Sequence, residues 1–73
     1  MIYHVQSNDG GKSWVIRKDG NVRATAVYIS EFFAVYNAKR TLPIGSLVYV
    51  HNLDATVRTK FTVEANRWTL NLT

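Results

Sequence analysis

The chain has 73 residues, with nine Lys and Arg against five Asp and Glu, a net charge of +4, and no cysteine. That length makes residues 1–73 a single domain that buries only about 60% of its unfolded surface, and lack of cysteine excludes disulfide staples and thiolate metal sites. The excess of cations serves either solubility or an anionic partner.

Met1 to Gln6 favours a strand, and Ser7, Asn8, Asp9, Gly10 and Gly11 form a dense turn cluster before a second strand, Trp14 to Lys18. A hairpin follows. In that second strand Trp14 and Ile16 make the better core face, with Val15 and Arg17 on the other. Asp19, Gly20 and Asn21 turn the chain again, and Val22 to Ile29 reads as a third strand or an extended lead into a helix.

Ser30 to Leu42 carries the helix signal. Ser30 can cap the first turn, Glu31 meets the positive end of the helix dipole, Lys39 and Arg40 meet the negative end, and Pro43 ends the run. At about 100° per residue, Phe32, Ala34, Val35, Ala38 and Leu42 share one apolar side with Tyr36 at its edge, while Phe33 projects opposite. An exposed ring there is either an ordinary surface apolar residue or an anchor for a partner.

Leu47 to His51 is the clearest strand, Asn52 to Ala55 reverses the chain, and Thr56 to Val63 alternates. In that alternation Val57, Phe61 and Val63 face inward and Arg58 and Lys60 outward. In the tail, residues 64–73, Trp68, Leu70 and Leu72 alternate with polar residues. Such a tail adds a strand to its own sheet or exchanges with a second copy. The fold expected is α+β, an antiparallel sheet of four to six short strands with one helix on one face, in the order β-β-(β)-α-β-β-(β). The expected core is Val5, Trp14, Ile16, Phe32, Val35, Leu42, Val57 and Phe61.

The motif Tyr3-His4-Val5, then Gly10, Gly11, Trp14 to Gly20, Arg23 to Val27, and Val50-His51-Asn52-Leu53-Asp54 follow one another in an order that resembles a small bacterial family known as domain of unknown function 2188. The likeness covers roughly residues 2–61. In this chain Ala55 stands where the family pattern has glycine. The resemblance implies a compact sheet with one covering helix and implies no activity.

Chemistry is sparse. His4 and His51 lie in strands that could be neighbours, but no third ligand accompanies them and zinc needs three or four, so no metal is expected. Asp9, Asp19 and Asp54 all lie in turns, no nucleophile elbow or phosphate loop is present, and neither an enzyme nor a cofactor is expected. The leading expectation is a non-enzymatic interaction module that forms a homodimer through Phe33, Trp68, Leu70 and Leu72. The alternative is nucleic-acid binding on a sheet face holding Arg17, Tyr49, Arg58 and Lys60, the form used for single strands, though an exposed sheet face is polar in any case. No charged leader precedes an apolar stretch, and the run from Ala24 to Tyr36 is too short to cross a bilayer, so a cytoplasmic protein with no membrane partner is expected.

Overall fold

A computed structural model describes residues 1–65 of the protein. Five strands and one helix follow in the order β1 (Ile2–Gln6), β2 (Trp14–Lys18), β3 (Ala26–Tyr28), α1 (Glu31–Thr41), β4 (Leu47–His51) and β5 (Val57–Thr62). The class is α+β, as the sequence implies. Strands lie side by side as β3-β2-β1-β4-β5.

The sheet is mixed rather than antiparallel. β1 pairs antiparallel with β2 and β2 with β3, so β3 runs parallel to β1, and the helix then carries the chain back across the sheet to start β4 in that same direction. β4 therefore lies parallel against β1, Tyr3 beside Val48 and Val5 beside Val50, while β5 returns antiparallel to β4. A hairpin alone cannot produce a parallel neighbour; a covering helix can.

Alternation along each strand separates two faces. Tyr3, Val5, Ile16, Val48 and Val50 are buried beneath α1, with Trp14, Tyr28, Val35 and Phe61 packed around them. The helix begins where Ser30 accepts a hydrogen bond from the Phe33 amide at 3.2 Å, and it ends at Leu42, whose extended backbone precedes Pro43. Its seat on the sheet is narrow. Ala34 and Ala38, one turn apart, are fully buried, and Leu42 continues the row. Small residues let the helix axis approach closely, and the large neighbours are turned outward. Phe32, expected inside, is 72% exposed.

Val57 corrects the expected core a second time. Val50 stands opposite Thr59, but His51 stands opposite Val57, so Arg58 is an extra residue in β5 and the ladder carries a bulge. One inserted residue reverses the faces of what precedes it. Val57 is 52% exposed on the open side of the sheet. Arg58 is turned toward the helix and forms an ion pair with Glu31. Trp68, Leu70 and Leu72 lie outside the described residues.

The loops are tied by short side chains. Asp9 accepts from the Ser13 hydroxyl at 2.6 Å and its amide at 2.9 Å, and also from Ser7, which holds its carboxyl down from 3.8 to about 2. A carboxyl depressed on folding stabilises the fold above its ordinary value and ceases to do so as the pH falls through its lowered one, here between about 3.8 and 2. In the β4–β5 turn Thr56 draws the Asp54 carboxyl downward in the same way, chiefly through its hydroxyl.

Ala55 adopts φ 74°, the left-handed region. A Cβ is unfavourable there by about 1–2 kcal/mol, partly offset by the greater freedom glycine has when unfolded. This is the position at which the resemblance implies a glycine. Ala55→Gly is expected to stabilise the protein by about 0.5–1 kcal/mol in denaturant titration; a loss of stability would mean that the turn does not hold this conformation.

Candidate functional site

Two surfaces stand out. The first is the outer face of α1. Phe32 and Phe33 meet edge to face with centroids 5.7 Å apart, Phe32 stacks on Tyr36 at 6.3 Å and 7°, and the Arg40 guanidinium lies 5.1 Å from the Tyr36 ring. Residues four apart on a helix stand one above the other, which is how Phe32, Tyr36 and Arg40 come into one column. Phe33 is 47% and Tyr36 39% exposed, and Ile29, just before the cap, is more exposed than either. Apolar side chains gathered this way form a patch rather than scattered contacts.

The second is the open face of the sheet. His4 sits at the centre of β1 and, by register, has Arg17 on one side and Tyr49 on the other, with Lys60 beyond Tyr49. Its ring lies 5.7 Å from that of Tyr49, at 21°. His4 Nδ1 is 2.8 Å from His51 Nε2, His4 Nε2 is 2.8 Å from Asp19 Oδ1, and His51 Nδ1 is 3.0 Å from the Ala55 carbonyl oxygen. The four groups form a continuous strap from the β2–β3 turn to the β4–β5 turn.

Of the residues expected to face nucleic acid, Arg17, Tyr49 and Lys60 share this face and Arg58 does not, because the bulge carries it to the helix side and Glu31. The Arg17 guanidinium donates to the Asn21 carbonyl oxygen at 2.9 Å, which fixes it along the β2–β3 turn. Of the residues expected to mediate self-association, Phe33 is exposed on α1, now with Phe32 and Tyr36 beside it; the other three lie outside the described residues. The histidine strap was only partly readable. Alternation places His4 opposite in sense to Val5, but the contact with His51 spans 47 residues and depends on the parallel pairing of β1 with β4.

Among the described residues no cluster of three or more His, Cys, Asp or Glu has the geometry to hold a metal ion, and no helix is long and apolar enough to cross a membrane. Residues 3–63 match the model of a family described as "Uncharacterized protein conserved in bacteria (DUF2188)". The chain belongs to this family. The matched span of this DUF2188 protein takes in all five strands but for Ile2, the helix, and both histidines of the strap. No curated protein and no solved structure matches the chain.

Proposed function

We propose that this DUF2188 protein is a small non-enzymatic interaction module that pairs with a second copy of itself through the outer face of α1. The observation that carries this reading is the cluster of Phe32, Phe33 and Tyr36, three exposed rings with Phe32 in contact with the other two, and the exposed Ile29 just before the cap. Covering them in both copies would remove on the order of 1,000 Å² from water. That is the low end for a specific interface. Pairing is therefore expected to depend on concentration.

A second copy is a better occupant than an unrelated chain because the helix is complementary to itself. Glu31 is already paired with Arg58 on the sheet side, so the complementarity lies in the helix dipole and the rings. Two such helices packed antiparallel bring the positive-dipole end of each beside the negative-dipole end of the other, and Phe33 of one comes opposite Tyr36 of its mate. A C2 contact of this type is closed and does not propagate. A domain of 73 residues also gains more from added buried area than a large one does.

The non-enzymatic part is supported by the strap. Each of the four imidazole nitrogens already has a partner in Asp19, the other ring or Ala55, so neither ring offers a spare base to a substrate. A nucleic-acid platform is weakened by the diversion of Arg58 to Glu31 and the anchoring of Arg17 at Asn21.

Sedimentation of the full chain over a range of micromolar concentrations tests the proposal. The wild type is expected to approach twice the monomer mass as concentration rises, and the paired substitution Phe32→Ser with Phe33→Ser to remain monomeric with an unchanged circular dichroism spectrum. A wild type that stays monomeric throughout, or a variant that pairs equally well, would reject it.

A further inference from the structure

The contacts of the strap allow its protons to be counted. The Ala55 carbonyl oxygen accepts only, so His51 Nδ1 must carry hydrogen; an ionised Asp19 carboxylate also accepts only, so His4 Nε2 must carry hydrogen. Between the rings, His4 Nδ1 and His51 Nε2 at 2.8 Å need one hydrogen and have room for one. Three contacts therefore take three protons. Two neutral imidazoles bring two.

We infer that His4 and His51 form a single-charge unit, holding three ring protons and one positive charge between them, and that the strap is complete only in that state. The charge resides on His4, because Asp19 is bonded to that ring and His51 meets an uncharged carbonyl. The other charged or titratable groups facing the pair are Arg17 opposite His4 on β2, Tyr49 stacked on it from β4, and Lys60 opposite Tyr49 on β5.

Each departure from three protons breaks a named contact. With two, either His4 Nε2 faces Asp19 Oδ1 or His4 Nδ1 faces His51 Nε2 with no hydrogen between two acceptors. With four, His4 Nδ1–H and His51 Nε2–H point at each other across 2.8 Å, and the rings must separate. His51 also holds the Ala55 carbonyl, so separation loosens the β4–β5 turn, whose backbone is otherwise closed by Asn52 and Ala55 amides donating to Thr56 and Asn52. The strap is thus an acid-sensitive latch on that turn.

Long-range 1H–15N spectra of the labelled full chain, taken from about pH 8 down to about pH 4, read each ring nitrogen as protonated or bare. The wild type is expected to pass through an interval in which one ring nitrogen, His51 Nε2, is bare and the other three are protonated, and below it the Ala55 amide exchanges faster. Asp19→Asn replaces an acceptor by a group that can donate to a neutral His4 Nε2. In that variant the interval is expected to vanish, leaving both Nε2 atoms bare until the rings separate. Spectra of the wild type that pass directly from two bare nitrogens to none, or an interval that survives Asp19→Asn, would overturn the inference.

Discussion

Replacement of Ala38 by glutamate is expected to abolish folding of this domain, at a cost of about 4 kcal/mol or more. Ala38 is fully buried one turn after Ala34, in the apolar core cluster that also holds Tyr3, Val5, Val48 and Val50. A carboxylate there would lack both water and a partner. The stability of a 73-residue chain is on the order of 4–11 kcal/mol, so this single change takes a large part of it and, at the lower end, all of it. Phe32→Glu on the same helix is expected to change monomer stability by no more than about 0.5 kcal/mol, since that ring is mostly in water. Circular dichroism during urea titration compares the two. Equal losses would mean that the helix is rotated from the orientation described.

Ile16→Ala is expected to be the next most damaging change, costing about 2–4 kcal/mol. Ile16 is 1% exposed and is the largest fully buried side chain among the described residues. It stands at the middle of β2, with Val5 opposite on β1 and Ala26 opposite on β3, and its carbonyl oxygen accepts from the Thr25 amide at 2.6 Å. The loss has two parts, the transfer of three carbons and the cavity left behind. β2 is held on both sides, so the surroundings cannot collapse to fill it. The midpoint of denaturation should fall with little change in slope. Val27→Ala, at the exposed position of β3, is the matching control with an expected change of less than about 0.5 kcal/mol.

Local signals in the sequence were strong where one residue sufficed to decide a boundary. Ser30, Glu31, Lys39, Arg40 and Pro43 mark the helix, and the structure places α1 from Glu31 to Thr41. Val5, Trp14, Ile16, Leu42 and Phe61 follow from alternation or helical spacing and lie in or against the core. Three features could not be read locally. Phe32 was assigned inward by its angle, but the width of the seat is set by Ala34 and Ala38 against the sheet, which no wheel contains. Arg58 and Val57 were assigned by strict alternation, and a bulge opposite His51 inverts both. The parallel contact of β1 with β4, on which the His4–His51 strap depends, is a choice among strand orders made by the helix crossover. What the family resemblance added was a clue of another kind: a glycine position occupied here by Ala55, which the left-handed backbone then explains.

The two surfaces divide the molecule by chemistry. Phe32 and Phe33, rings with no polar atom, face water on α1 beside Tyr36, whose hydroxyl accepts from Arg40, whereas the histidine rings on the sheet are tied through their nitrogens by hydrogen bonds. Desolvating the first group gains free energy; desolvating the second would strip water from groups that carry charge. Association is therefore expected on the helix.

The most direct test is an isotope-filtered NOE experiment on an equal mixture of labelled and unlabelled chains, at a concentration where sedimentation shows pairing. Cross-peaks between copies should join the Phe33 ring to Tyr36 and the Phe32 ring to Asn37, the set an antiparallel twofold helix contact requires. Intermolecular cross-peaks confined to β5 or to the open sheet face, with none from these rings, would contradict the account.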